Sequence, residues 1–192
     1  MKNHTLLNVM NKFINTNKIK EDLLTFTQTG VDEFIKENPA LTFYAFAYDC
    51  NAEYGEVNLC FNTEEEFAKT LEEYQNSEYS QYYQTEKDIR ELKYNTGDWE
   101  YQCFDTMYIM TEEEMAKLYP EIEPQINDFI SIFCETLLDF TLTKEYDKIP
   151  KNDDFKVLCL DHDDDLKDAE KRLKKIKENY LKCPPQNIKN SN

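Results

Sequence analysis

The chain has 192 residues, of which 39 are acidic and 22 are basic, so its formal net charge is -17. Three glycines, six prolines and six cysteines are too few for a collagen-like, low-complexity or disulfide-scaffold protein. Hydrophobic residues make up 40% and aromatic residues 14%, which is enough to build a core. We therefore expect a single acidic globular domain over residues 1–182 and a flexible tail over residues 183–192.

The charge is spread unevenly along the chain. Residues 41–170 hold 33 acidic and 10 basic residues, whereas residues 171–192 hold one acidic and seven basic residues. A negatively charged body repels phosphate backbones and anionic lipid surfaces. The two arginines, Arg90 and Arg172, also offer little bidentate recognition of phosphate. We therefore expect no nucleic acid and no membrane among the partners.

No segment has the pattern of a secretion signal or of a membrane span, so we expect a cytoplasmic location. The cysteines form no CxxC pair and no repeated spacing, so neither a zinc ribbon nor a redox motif is predicted. Buried free thiols in a reducing compartment are the simplest interpretation, and no cofactor is expected. The six cysteines are Cys50, Cys60, Cys103, Cys134, Cys159 and Cys183.

The first part of the chain predicts a helix followed by a hairpin. Apolar residues at helical spacing predict a helix that ends before Pro39, although Gly30 weakens its middle. The run Leu41–Cys50 is aromatic on both faces, which is typical of a central strand covered on two sides. Alternation over Val57–Phe61 predicts its hairpin partner. A capping box at Thr63 then starts a helix over residues 64–76.

The remainder alternates between irregular segments, helices and a further strand. Residues 77–110 are less regular; Ile89, Leu92 and Tyr94 fit either a strand or a helix end, and Asn95–Asp98 is a turn. Thr111 and Glu114 form a further capping box, and a core helix of about five turns is predicted from Ile122. A buried strand is predicted over Phe155–Leu160. The last predicted helix follows Asp161–Asp165 and ends near residue 181. This order predicts an α+β domain with a mixed or antiparallel sheet and several helices.

The aspartate run after the last strand is a candidate metal site. Asp161, Asp163 and Asp165 have the spacing of Ca²⁺ ligands, but Leu166 and Arg172 occupy the glycine and glutamate positions of an EF-hand loop. A solvated helix start is the simpler interpretation, because negative charge favours a helix N-terminus. The alternative is a metal-assisted hydrolase that uses this cluster with His162 as an acid–base group. No other pattern predicts a catalytic residue, so the sequence does not indicate an enzyme.

Aromatic residues are concentrated between residues 74 and 108, where acidic residues separate them. Tyrosine and tryptophan combine a large contact area with a polar tip, so they are frequent in interface hot spots. Carboxylates around such rings would steer a basic partner towards them. The alternative is that most of the rings complete the core. The candidate partner contacts are Tyr82, Tyr83, Asp98, Trp99, Glu100 and Tyr101.

Two segments together resemble a bacterial family, the domain of unknown function 4303. They are FYAFAYDCNAEYGEVNLCFNTEEEF (Phe43–Phe67) and LKYNTGDWEY (Leu92–Tyr101). Members are similar in having an aromatic strand, an acidic turn with Tyr-Gly, a second strand that ends in Asn-Thr-Glu-Glu, and a later segment near Asp-Trp. The resemblance leaves the first 15 and the last 10 residues outside and carries over no catalytic residues.

The resemblance implies a genomic setting, because such proteins are frequent near polymorphic toxin loci, where small acidic proteins act as immunity partners. Many toxins that cleave nucleic acid are basic, so an acidic surface rich in tyrosine suits their capture. The leading hypothesis is thus an acidic binding protein, an immunity protein that neutralises a cognate basic toxin. The metal-assisted hydrolase and a housekeeping domain whose acidity keeps it soluble are the alternatives.

Overall fold

The computed structural model describes residues 15–111, 113–114, 116, 126–162 and 164–182. Two 3₁₀ turns, Ser80–Tyr82 and Thr96–Asp98, flank the third helix. The other elements of these residues are α1 (Thr16–Glu37), β1 (Phe43–Asn51), β2 (Glu56–Thr63), α2 (Glu64–Gln75), α3 (Glu86–Lys93), β3 (Tyr101–Tyr108), α4 (Ile126–Phe140), α5 (Lys144–Lys148), β4 (Lys151–Asp161) and α6 (Leu166–Lys182).

The four strands form a sheet in the order β3-β2-β1-β4. β2 pairs antiparallel with both β1 and β3, whereas β4 lies parallel to β1. The turn between β1 and β2 uses Gly55, whose φ of 64° is a conformation that glycine adopts without steric cost. The sheet is mixed, so the predicted α+β class and the predicted hairpin are confirmed. None of the helices in the described ranges is both long and apolar enough to cross a membrane.

β1 is the buried centre of the sheet. Successive side chains of a strand point to opposite faces, and here both faces are covered. Phe46 and Tyr48 contribute to the core on one face, while Ala45 and Ala47 contribute to the core on the other. All four side chains are fully buried. The prediction of a central strand covered on two sides is therefore confirmed.

The larger core lies between the sheet and helices α1 and α4. Stacked rings form its centre: Phe61 of β2 lies 4.3 Å from Phe43 and 5.4 Å from Phe104, measured between ring centroids. Leu23 of α1 and Phe133 of α4 are fully buried in the same core. Burying one such side chain stabilises the fold by about 1.5–3 kcal/mol, so this packing dominates the energetics.

Gly30 lies where α1 crosses the sheet, and the helix continues through it without a break. A Cβ atom at this position would lie 2.9 Å from Oδ2 of Asp105 and 3.0 Å from Cδ1 of Leu59. Glycine therefore permits the close approach of α1 to β2 and β3. Glycine has a low helix propensity, so the sequence predicts that Gly30 weakens the helix. The close packing of α1 against the sheet offsets this cost.

The smaller core covers part of the opposite face. Tyr44, Cys60 and Trp99 are buried there with the first residues of α6, Leu166 and Ala169. The hydroxyl of Tyr44 and the indole N–H of Trp99 both donate to the backbone carbonyl of Lys93, at 2.5 Å and 2.9 Å. α3 is thus tied to the sheet at its last residue.

The irregular segment predicted over residues 77–110 contains regular structure. Leu92 lies in helix α3, whose N-cap is Thr85, so the helix-end alternative for that stretch is the observed one. β3 was not predicted, because its apolar residues do not alternate: a bulge separates Tyr101 from Phe104. The Thr111 hydroxyl accepts from the Glu114 N–H at 3.2 Å, as a capping box requires. Residues 122–125 of the predicted core helix, Asp163 and the tail over 183–192 lie outside the described residues.

Candidate functional site

The tyrosines and the aspartate run, which the sequence treats as separate features, meet in one depression of about 340 Å³. We call it the acidic cleft. Its walls come from three places: the turn after α2, helix α3 with the residues that follow it, and the segment from the end of β4 to the start of α6. It is lined by Tyr82, Tyr83, Asp88, Glu91, Leu92, Tyr94, Asn95, Asp98, Leu160, Asp164, Asp165 and Leu166.

Helix caps position two of the carboxylates. The Thr85 hydroxyl accepts from the Asp88 N–H at 3.2 Å and donates to the Asp88 carboxylate at 2.6 Å, which fixes the first turn of α3. At the start of α6 the Asp165 carboxylate accepts from the N–H of Asp168 at 2.8 Å. Both donors are neutral, so these hydrogen bonds orient the carboxylates without cancelling their charge.

Asp98 stands at the other side of the cleft. Its carboxylate accepts from the hydroxyl of Tyr74 at 2.6 Å and from the side-chain amide of Asn95. The hydrogen bond to Asp98 raises the pKa of Tyr74 to about 12, so the phenol remains a donor at neutral pH. Asp98 also borders a second depression of about 500 Å³, which Tyr79 and Glu100 help to line.

Asp164 differs because an arginine pairs with it. Both ends of the Arg172 guanidinium contact its carboxylate, and Nη2 also donates to the Cys159 carbonyl at 3.1 Å. Burial alone would raise the pKa of Asp164, but the hydrogen bonds from Arg172 and from the Asp161 N–H hold it below its ordinary value. Among the cleft carboxylates, Asp164 is therefore structural. The negative field comes from Asp88, Asp98, Asp165 and Glu91, the last of which lies 3.4 Å from the ammonium group of Lys87.

The predicted partner contacts divide between surface and core. Tyr82 is 60% exposed, and Tyr83 is half-buried with its ring 4.7 Å from that of Tyr74. Together with Asp98 they line the acidic cleft, while the exposed Glu100 lies in the neighbouring depression. The spacing of the tyrosines along the sequence does not show this division, because the division depends on whether each ring points to the core or to solvent.

The prediction for Trp99 requires a correction. Trp99 is 2% exposed in the smaller core, so its ring positions the segment and offers almost no contact surface. Tyr101 is half-buried and packs edge-on against Phe34 and Phe43 at the larger core on the opposite face of the sheet. The core alternative therefore holds for Trp99 and in part for Tyr101, whereas the ring of Tyr82 is exposed.

The aspartate run forms a turn and a cap. The Asp161 carboxylate accepts from the N–H of Ala52 at 2.9 Å, and Asp165 caps α6. His162 is exposed, and Asp163 lies outside the described residues. These contacts agree with the simpler interpretation of a helix start, and they provide no arrangement that favours the hydrolase alternative.

A different group brings metal-binding atoms together. Asp49, Cys60 and Cys103 offer ligand atoms that all lie within 4.8 Å of one another. Cys60 is buried, Asp49 is half-buried and Cys103 is exposed, whereas Cys50, Cys134 and Cys159 are buried free thiols as expected. No sequence pattern indicates this group, because the two cysteines lie on different strands and are brought together by a bulge that residue spacing does not predict.

Comparison with known families gives a match over most of the chain. The sequence profile of a family described as Domain of unknown function (DUF4303) matches residues 23–176. No curated protein and no solved structure matches the chain.

Proposed function

The chain belongs to the DUF4303 family, and from its surface we propose that it is a binding protein that captures a basic protein partner in the acidic cleft. We further propose that this partner is a cognate toxin and that binding neutralises it. The observation that carries the proposal is the convergence of Tyr82 and Tyr83 with Asp88, Asp98 and Asp165 in one depression.

The chemistry of the cleft favours a cation carried on a partner. A tyrosine that is 60% exposed, such as Tyr82, offers aromatic area at a small cost in side-chain entropy. Guanidinium and ammonium groups interact with ring faces and with carboxylates, so an arginine or lysine finds both in the cleft. A volume of about 340 Å³ is at the small end of ligand pockets and fits protruding side chains.

The charge of the whole chain supports the same proposal. A net charge of -17 attracts a basic partner over distance and raises its association rate, which matters when a toxin must be stopped before it acts. The proposal that the partner is a toxin follows from the genomic setting that the family resemblance implies. The cleft supports the wider proposal of a basic partner, whichever class that partner belongs to.

The test is a pulldown with the proteins encoded by adjacent genes, followed by affinity measurement in low salt. Tyr82→Ala should weaken binding by about tenfold or more, as expected for a hot-spot residue. Tyr54→Ala is the matched control, because Tyr54 is 58% exposed in the β1–β2 turn and lies outside the cleft. Equal affinity of both variants and the unsubstituted protein would contradict the assignment to the cleft.

Salt gives a second measurement on the same complex. Exposed charges are screened within about 8 Å at physiological ionic strength, so the association rate should fall steeply as salt is added. Glu91→Gln in the cleft should lower this rate, whereas Glu37→Gln, at the end of α1, should change it less. An association rate that does not depend on salt would argue against electrostatic capture.

A further inference from the structure

A bulge in β3 brings Cys103 to Cys60. Residues 102–104 lie between the paired residues Tyr101 and Asp105 of β3, while β2 has only Cys60 between their partners. Cys103 takes a φ of 48°, in the left-handed region that a non-glycine residue rarely adopts. Strained backbone of this kind persists only where surrounding structure determines it, and it is concentrated at functional sites.

Three neighbouring strands supply one potential ligand each. Asp49 comes from β1, Cys60 from β2 and Cys103 from β3, and their ligand atoms lie within 4.8 Å of one another. Burial decreases across the group, since Cys60 is buried and Cys103 is exposed. An ion could therefore enter from solvent at Cys103 and still be held by a rigid sheet on its other side.

A hydrogen bond orients one of the three groups. The backbone N–H of Cys103 donates to Sγ of Cys60 at 3.2 Å. Metal ligands are commonly held in place by such hydrogen bonds.

We propose that Asp49, Cys60 and Cys103 bind Zn²⁺. Two thiolates and a carboxylate are ligands that Zn²⁺ accepts, and three protein ligands leave a fourth tetrahedral position for water. Two sulfurs at about 2.3 Å from a tetrahedral ion lie roughly 3.7 Å apart, so the observed spacing needs a contraction of about 1 Å at most. Thiolates disfavour Mg²⁺ and Ca²⁺, which prefer oxygen ligands.

The role of the ion would be to tie the edge strand to the centre of the sheet. β3 lies at one end of the strand order, next to β2. A shared Zn²⁺ would cross-link β3, β2 and β1, so binding should also raise the melting temperature by mass action. This inference stands apart from partner binding, because the acidic cleft shares none of the three ligands.

The test is calorimetric titration of the reduced, metal-free full chain with Zn²⁺, together with Co²⁺ as a spectroscopic probe. The unsubstituted protein should bind one Zn²⁺, and Co²⁺ should give thiolate-to-metal charge-transfer absorption. Cys103→Ser should weaken Zn²⁺ binding by well over tenfold, because loss of an outer-shell partner alone costs 10–100-fold. Asp49→Asn should weaken it as well.

Cys183→Ser is the control for adventitious thiol binding and should bind as the unsubstituted protein does. Since Cys103 is exposed, its replacement should leave the fold intact, which circular dichroism without metal checks. Failure of the reduced protein to bind Zn²⁺ would overturn the proposal, as would equal binding by Cys103→Ser. Formation of a Cys60–Cys103 disulfide on oxidation, without Zn²⁺ binding when reduced, would also overturn it in favour of a redox pair.

Discussion

The indole of Trp99 meets the ring of Tyr44 edge-on at 5.9 Å, and both side chains donate a hydrogen bond to the carbonyl of Lys93. This carbonyl ends α3, the helix that forms one wall of the acidic cleft. Tyr44 belongs to the central strand, so the pair fixes the wall to the most buried part of the sheet. The shape of the cleft therefore depends on two residues that do not line it.

Trp99→Ala should lower the free energy of unfolding by about 3–5 kcal/mol, because a large buried ring leaves a cavity. Tyr44→Phe should cost about 1–3 kcal/mol, since Asn62 also donates to that hydroxyl and would lose its acceptor. Urea unfolding measures both. Tyr82→Phe removes a tyrosine hydroxyl at an exposed position, so it should leave the free energy of unfolding nearly unchanged. If Trp99→Ala unfolded at the same urea concentration as the unsubstituted protein, the core role of Trp99 would be contradicted.

Gly30→Ala should destabilise the protein by up to about 2 kcal/mol, although alanine is the better helix former. The new methyl group would meet the fully buried Leu59 at 3.0 Å, and overpacking costs about 1–3 kcal/mol against a propensity gain of about 1 kcal/mol. Gly97→Ala is the matched control, because its Cβ would meet only Oδ1 of Asn95 at 3.6 Å. A stabilised Gly30→Ala variant in chemical denaturation would show that α1 moves away freely.

The carboxylate of Asp32 should make the free energy of unfolding depend on pH in the acid range. Hydrogen bonds from Lys148 and Lys36 lower its pKa from 3.8 to about 2. A carboxyl whose pKa is lower in the folded state contributes stability above its unfolded pKa, and this contribution is lost as the pH falls through the folded value. The difference in unfolding free energy between the unsubstituted protein and Asp32→Asn should therefore be constant near neutral pH and shrink below about pH 4. A difference that grows on acidification would contradict this sign.

Arg172→Met should destabilise the start of α6, because it leaves the carboxylate of Asp164 half-buried without its cation. Removal of one partner of a buried pair costs about 3–5 kcal/mol. About a fifth of each side chain remains accessible (22% and 16%), so we expect roughly 1–3 kcal/mol. The double variant Arg172→Met/Asp164→Asn should recover part of the loss in urea unfolding. Additive losses in the double variant would mean that the two groups do not interact.

Much of the sheet could be predicted from the chain because its central strand is unusual. Aromatic residues on both faces of β1 indicate burial on two sides, and the structure confirms it. β3 could not be predicted in the same way. It is an edge strand whose residues are half-buried or exposed, and its bulge at Cys103 breaks the alternation that indicates a strand.

The cleft could be predicted only in its parts. The sequence pointed to Tyr82, Tyr83 and Asp98, and separately to Asp165, but the contact between these segments depends on how α3 and α6 pack on the sheet. Whether Trp99 is buried depends on the same packing, because composition does not distinguish an aromatic ring at an interface from one in the core. Asp49, Cys60 and Cys103 meet only through the register of three strands.

The parallel pairing of β4 with β1 has a consequence for the order of folding. β1 ends at Asn51 and β4 begins at Lys151, so the ribosome must release most of the chain before this pairing can form. Until then one edge of the most apolar strand has no neighbour, which is a template for association with other nascent chains. Long-range closure of this kind slows folding. We therefore expect newly synthesised chains to be most prone to association until residues 151–161 have left the ribosome.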